Sequence, residues 1–196
     1  MTSFSRRRAG WALPCIALLA AAGAGAARDP VREYVDQTTA VSVTVTDDAL
    51  IFARERTDLA ANARDYITFA PLEINRSGSR SYFWLAYIWS TIDRRNGEPL
   101  LAQGDELVLL ADGRPIRLLA DAGPLQDHGV VQQPIPAPKR DALALLFSAD
   151  TESIAYAARA TDLHIELLHD GTGEPFTLWK GARESLLAFA EWVTAD

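Results

Sequence analysis

Arginine side chains are concentrated between residues 54 and 95, beside several aromatic residues. A guanidinium group can hold a carboxylate or phosphate through two parallel hydrogen bonds, and it can also stack on an aromatic ring. This segment is therefore suited to binding an anionic or aromatic group of a partner. Its arginines are Arg54, Arg56, Arg64, Arg76, Arg80, Arg94 and Arg95, and the neighbouring aromatic residues are Tyr66, Tyr82, Trp84 and Trp89.

We take as candidate partner-binding residues Arg76, Arg80, Tyr82, Trp84, Arg94 and Arg95. The alternative is that the arginines only form solvated ion pairs with adjacent acids, each of which contributes little to stability. The pairs expected on that alternative are Arg54 with Glu55, Arg64 with Asp65, and Asp93 with Arg94.

The remaining residue types give no catalytic, metal or cofactor signature, so no catalytic, metal or cofactor residue is assigned. His164 and His169 lie at either end of a short predicted strand, where they face opposite sides and do not converge on one metal ion. No serine stands in the Gly-x-Ser-x-Gly setting of a hydrolase nucleophile. Paired carboxylates for glycan hydrolysis stay open, because their separation is a property of the folded chain.

The candidate residues belong to a predicted long β-hairpin. Two apolar runs, residues 67–74 and 82–92, are separated by a polar segment with turn chemistry at residues 75–80. Both faces of the second run are apolar, which predicts a central strand covered on both sides. Ala70 and Pro71 interrupt the alternation of the first run and predict a bulge or a strand edge there.

The rest of the chain predicts a β-rich α+β domain. Alternating valines at residues 41–45 predict a strand, and Asp112-Gly113 predicts the two-residue turn of a second hairpin. A long connection rich in Gly, Pro and Gln covers residues 121–140, and helices are predicted at residues 151–159 and 182–193. We therefore expect an antiparallel sandwich or a partly open barrel, with helices toward the C-terminal end.

The first 26 residues have the pattern of a cleaved signal peptide. Three arginines at residues 6–8 precede an apolar run and the small residues Ala24-Gly25-Ala26. Cys15 lies inside the apolar run, so lipidation there is a minor alternative. Residues 27–196 then form one predicted globular domain that contains no cysteine and hence no disulfide. We expect a periplasmic or secreted bacterial protein with no stable transmembrane span after cleavage.

Net charge narrows the choice of partner. The full chain carries a formal charge of −7, and loss of Arg6, Arg7 and Arg8 makes the mature chain more acidic still. An acidic domain of this kind lacks the basic stripe that nucleic-acid binding requires. The sequence favours a non-enzymatic binding or assembly module whose partner is another envelope protein or component.

Two alternatives stay open. A carboxylate-dependent glycan hydrolase would show two partly buried acids that face one pocket, at least one of them with a raised pKa. A carrier of a small apolar ligand would show an unfilled apolar cavity.

Overall fold

The computed structural model describes residues 29–92, 106–119, 122–169, 172–181 and 183–195. The predicted signal peptide lies outside these residues. Within them, no helix has the length and apolar character needed to cross a membrane. The strands are β1 (Val31–Val35), β2 (Ser42–Thr46), β3 (Leu50–Glu55), β4 (Arg64–Arg76), β5 (Ser79–Ser90), β6 (Glu106–Ala111), β7 (Arg114–Leu118), β8 (Leu143–Ala149), β9 (Leu163–His169) and β10 (Thr172–Lys180). The helices are a 3-10 turn (Leu125–His128), α1 (Thr151–Arg159) and α2 (Arg183–Thr194).

The strands form one antiparallel sheet that branches at β4. One edge of β4 pairs with β5, which in turn pairs with β8. The other edge of β4 pairs with β3 along its first part and with β2 along its second part. One branch of the sheet therefore runs β3-β10-β9-β6-β7, and the other runs β2-β1. Residues of β7 approach β8 within 8 Å between Cα atoms, although the two strands do not pair. The predicted β-rich α+β class is therefore confirmed, with an open sheet and the two helices in the C-terminal part.

Both predicted hairpin turns are present. Ser77 and Gly78 join β4 to β5 with φ of 53° and 90°, and Asp112 and Gly113 join β6 to β7 with φ of 47° and 79°. Positive φ at both central residues matches the twist of the flanking strands, and Asn, Asp and Gly tolerate it at low cost. The Asn75 side chain adds a local hydrogen bond, since its Oδ1 accepts from Gly78 N at 2.9 Å.

Of the two alternatives predicted at Ala70-Pro71, the bulge is wrong, whereas a local strand edge is present, because neither residue lies opposite β2 or β3. The ladder between β4 and β5 runs from Asp65 opposite Ser90 to Arg76 opposite Ser79 with no register shift. What changes at this point is the neighbour on the other edge, where Phe69 is the last residue opposite β3 and Leu72 the first opposite β2. One face of β4 contributes to an apolar cluster in the first part of the strand, and the opposite face contributes in the second part. The alternation of apolar residues is therefore interrupted where the two parts meet.

Two apolar clusters lie on opposite faces of the sheet, and β5 contributes to both. Trp84, Ala86 and Ile88 point into the larger cluster, which also holds the buried sides of α1 and α2. The alternate residues of β5 point into a smaller cluster, which is closed by Val130 and Ile135 of the long connection. We call these the inner and outer faces. The prediction of a central strand covered on both sides is confirmed.

Asp36 attaches the long connection to the outer face. Its Oδ2 accepts hydrogen bonds from Val131 N at 2.7 Å and Gln132 N at 2.8 Å, while its Oδ1 accepts from Thr38 N at 2.9 Å. The carboxylate is 1% exposed. Backbone donors, Gln132 first and then Thr38, hold the pKa of Asp36 below its ordinary value of 3.8.

Asp36→Asn is expected to destabilise the protein at neutral pH and to have a smaller effect in acid. The folded-state pKa of Asp36 is lower than the unfolded one, so its contribution is present above 3.8 and is lost as pH falls below that value. Urea unfolding of both proteins at about pH 7 and about pH 3 measures this, because the two pH values bracket the ordinary range of an aspartate. A difference in unfolding free energy that stays constant between the two pH values would contradict the assignment.

Candidate functional site

Among the candidate residues chosen from the sequence, the four that the structure describes do not form one surface. Arg76 is exposed and packs beside Gly129, where an added Cβ would lie 2.9 Å from its Nη2. Arg80 Nε lies 3.6 Å from Glu73 Oε1, and Tyr82 is half-buried against the inner core. Arg94 and Arg95 lie outside the described residues.

Trp84 is part of the core, so it does not belong to a binding surface. Its side chain is 1% exposed, and its ring stacks on Phe69 with centroids 4.7 Å apart and an interplanar angle of 13°. The alternation of β5 puts Trp84 on the inner face, beneath the helices. A partner therefore has no access to this ring in the folded protein.

Arg54 and Arg56 hold a buried carboxylate. Asp65 is 0% exposed, and its Oδ2 lies 2.8 Å from Arg54 Nη2 and 3.0 Å from Arg56 Nη1. Arg54 also contacts Glu174 and lies over the Phe176 ring at 4.8 Å. These guanidinium groups are mostly buried, because their side chains are 12% and 17% exposed. They are structural groups of the inner face.

The ion pairs predicted between adjacent residues are wrong for Arg54 and Arg64. Arg54 pairs with Asp65, whereas Arg64 pairs with Glu55, with 3.0 Å between Nη2 and Oε1. Successive residues of a strand point to opposite faces, so adjacent charges do not meet. Cross-strand neighbours do meet, and here Arg54 lies opposite Asp65 and Glu55 opposite Arg64. The third predicted pair, Asp93 with Arg94, lies outside the described residues.

A row of aromatic side chains and one arginine occupies the outer face across β10, β4 and β5. Tyr66 and Trp89 stack with ring centroids 4.3 Å apart and an interplanar angle of 14°. The guanidinium carbon of Arg64 lies 4.5 Å from the centroid of the Trp179 ring. We call these four residues, Arg64, Tyr66, Trp89 and Trp179, the aromatic surface.

Neighbouring groups fix the orientation of the aromatic surface. Trp89 Nε1 donates to Thr68 Oγ1 at 3.2 Å, which sets the plane of the indole in its stack with Tyr66. Glu55 and the Tyr66 hydroxyl, in that order, raise the pKa of Arg64, so this arginine stays charged. A second cation is close by, because Lys139 Nζ donates to Ser90 O at 2.6 Å, next to Trp89 in the chain. The surface thus combines ordered rings with two cations, Arg64 and Lys139, of which Arg64 is paired with the exposed Glu55.

Trp179 is the exposed member of this row, and it was not selected from the sequence. Its side chain is 58% exposed, whereas Phe176 on the same strand is 2% exposed. The pairing of β10 with β3 has an irregular register between Leu178 and Lys180, at the position of Trp179. The alternation of residues 174–179 in the sequence indicates this exposure, because it places Phe176 and Leu178 on one face of the strand and Trp179 on the opposite face.

The two buried acids of β4 are too far apart to act as the carboxylate pair of a glycan hydrolase. Asp65 and Glu73 are the buried acids of β4, and their positions along the strand put them roughly 26 Å apart, at about 3.3 Å per residue. Glycosidase carboxylates lie within about 10 Å of each other. Hydrogen bonds to the carboxylates lower the pKa values of Asp36, Asp58 and Asp112, whereas a general acid needs a raised pKa.

Two other concave regions are less suited to a specific ligand. A cavity of 120 Å³ lies between the 3-10 turn and strands β5 and β8, below the roughly 300 Å³ at which ligand pockets begin. A wide cleft of 580 Å³ at the start of α2 is lined by the acids Asp48 and Glu184 and the bases Lys180 and Arg183. These opposite charges balance, so the cleft has no net charge with which to select an ion.

The aromatic surface is therefore the candidate site among the described residues. Exposed tryptophan, ordered tyrosine and a charged guanidinium are the groups that carry most of the binding energy in protein interfaces. Within the described ranges, no three His, Asp or Glu side chains are grouped as metal ligands would be. Comparison of the chain with protein-family models, with characterised proteins and with solved structures gives no match.

Proposed function

We propose that this chain is an exported, non-catalytic binding module for another component of a bacterial envelope, and that it binds through the aromatic surface. The single observation that carries the proposal is the exposed Trp179 ring held under the Arg64 guanidinium. The leader at residues 1–26 supports export, since its basic start, apolar run and small residues are those of a signal peptide.

The aromatic surface is ordered before a partner arrives. Tyr66 is stacked on Trp89, Trp89 is hydrogen-bonded to Thr68, and Arg64 is paired with Glu55. Little side-chain entropy is then lost on binding, which is a main cost of forming an interface. An exposed tryptophan on such a support is a suitable anchor for a partner group that has a flat face or a negative charge.

Replacement of Trp179 is expected to reduce capture of the partner strongly without unfolding the protein. The test uses the full chain with a C-terminal tag, crosslinked in intact cells and purified separately from soluble and membrane fractions. We expect wild type to recover an envelope component that Trp179→Ala recovers at least about tenfold less well, the loss typical of an interface anchor.

Trp192→Ala is the matched control, because Trp192 is also exposed, at 43%, but lies on α2. Its recovery of the partner should equal that of wild type. Equal recovery by Trp179→Ala and wild type would contradict the proposed surface. A wild-type chain found uncleaved in the cytoplasmic fraction would contradict export.

A further inference from the structure

We propose that the aromatic surface binds an acidic polysaccharide, that is, a glycan chain whose sugar rings carry carboxylate groups. This inference rests on the proposed binding function and names the chemical class of the envelope component. It is carried by three properties of the described residues: the exposed ring of Trp179, the hydrogen-bond donors of Arg64, and the polar character of the strands around them.

The exposed indole of Trp179 suits a sugar ring. A pyranose presents C–H groups on its faces and hydroxyl groups around its rim, so it can pack on an aromatic face while its hydroxyls stay in water. Trp179 offers such a face with 58% of its side chain exposed, and Arg64 holds the ring from one side at 4.5 Å. An amphipathic aromatic side chain of this kind binds at a boundary between apolar contact and water.

Arg64 supplies the preference for a carboxylate. A guanidinium has five N–H donors in a planar fork, and Arg64 uses Nη2 to donate to Glu55 Oε1 and also interacts with the Tyr66 hydroxyl. The donors left over match the two oxygens of a carboxylate on a stacked sugar. Lys139 adds a second positive charge at the end of β5 through its contact with Ser90 O.

The row is longer than one sugar. Trp179 on β10 and Trp89 on β5 are separated by β3 and β4, which makes three strand spacings. At about 4.8 Å per spacing, the row is roughly 14 Å long. A chain of several sugar units can contact both tryptophans and Arg64 together, whereas a monosaccharide cannot.

The surroundings of the row are those of a glycan site more than of a protein interface. On strands β3, β4, β5 and β10, Trp179 is the only exposed large apolar side chain among the described residues. The fully buried centre of a protein interface is more apolar than its rim, and one exposed tryptophan supplies little area for such a centre. The neighbours of the row include Glu55 and Thr177, both exposed and both able to hydrogen-bond to sugar hydroxyls.

The acidic body of the protein makes the proposal selective. With a formal net charge of −7 for the full chain, general attraction to a polyanion is unfavourable. Any binding to an acidic polysaccharide must then depend on local contacts with Arg64 and the aromatic rings. Loss of either contact should be visible directly as loss of binding.

The test is affinity electrophoresis of the mature chain, residues 27–196, through native gels that contain alginate, polygalacturonate or hyaluronan. Fully methyl-esterified polygalacturonate serves as the uncharged counterpart. We expect at least one of the three acidic polymers to retard wild type and Trp192→Ala. Trp179→Ala and Arg64→Gln should need about tenfold more of that polymer for equal retardation. The esterified polymer should not retard wild type. Thermal unfolding of each variant checks that it is folded.

The proposal is overturned if none of the three acidic polymers retards wild type, if all four proteins are retarded equally, or if the esterified polymer retards wild type as strongly as the acid. These failures differ from failure of the proposed function. If capture in cells depends on Trp179 and the captured component is a protein, the binding module stands and the glycan class falls. If nothing is captured and the gels show no retardation, both fall.

Discussion

Trp84→Ala should lower the free energy of unfolding by about 3–5 kcal/mol, the usual cost of truncating a buried tryptophan to alanine. The Trp84 side chain is 1% exposed and stacks on Phe69 in the inner core. Removal of the ring leaves a cavity at the centre of a sheet whose helices cannot easily collapse into it. Urea denaturation followed by circular dichroism measures the change.

Two further variants make this result specific to the core position. Trp84→Phe keeps an aromatic ring against Phe69 and removes an indole Nε1 that is buried with no hydrogen-bond partner among the described residues. We expect it to cost less than the alanine variant. Trp89→Ala should also cost less, because Trp89 is half-buried on the outer face. An unfolding free energy of Trp84→Ala equal to that of wild type would contradict the position of β5 in the sheet.

Asp65→Asn should destabilise the protein by about 3–5 kcal/mol, because it removes the acid from a buried ionic cluster. Asp65 is 0% exposed and contacts both Arg54 and Arg56 at 3.0 Å or less. The neutral amide leaves two mostly buried guanidinium groups without this charge. The cost is then mainly that of weakened charge compensation, because Arg54 and Arg56 keep only Glu174 and Asp58 as carboxylate partners among the described residues, and these acids are 52% and 59% exposed.

Asp58→Asn is the matched control for Asp65→Asn. Asp58 also contacts Arg56, with 2.8 Å between Oδ2 and Nη2, but its side chain is 59% exposed. Water can replace the lost interaction, so we expect a much smaller decrease in the urea midpoint. Equal decreases for the two variants would show that burial does not determine the strength of this cluster.

Local chemistry made part of the fold predictable. The turn at Asp112-Gly113 follows from two residues that accept positive φ, and the turn at Ser77-Gly78 has one such residue, Gly78. Asp150 caps α1 by accepting from Ser153 N at 2.6 Å. The doubly apolar pattern of β5 required burial on both faces, which the two clusters provide. Each of these features depends on residues that are close together in the sequence.

Features that depend on distant strands were not predictable in the same way. The change of neighbour from β3 to β2 along β4 produced a pattern that resembles a bulge. Trp84 and Trp89 are five residues apart and equally aromatic, yet only their alternation in the paired sheet separates core from surface. The Trp179 ring contacts the Arg64 guanidinium although β10 and β4 are not adjacent strands. They are separated by β3, and the sequence does not reveal this strand order.

The ion pairs of Arg54 and Arg64 depend on pairing between strands. Arg54 and Glu55, or Arg64 and Asp65, are neighbours in sequence but face opposite sides of their strands. The predicted apolar run starts only at residue 67, so the expected strand geometry did not extend to these four residues, although the observed β3 and β4 include all of them. Pairing across strands would have been the better assumption, although the partner strand could not be named from the sequence.

Binding through the aromatic surface can be tested by site-specific photocrosslinking in intact cells, with the photoreactive residue placed at Thr177 or at Leu187. Thr177 is exposed on β10 close to Trp179, whereas Leu187 is 40% exposed on α2. We predict a discrete protein or glycan adduct from position 177, no adduct from position 187, and loss of the first adduct when Trp179→Ala is added. Absence of an adduct at 177, or equal adducts at both positions, would contradict binding through the aromatic surface.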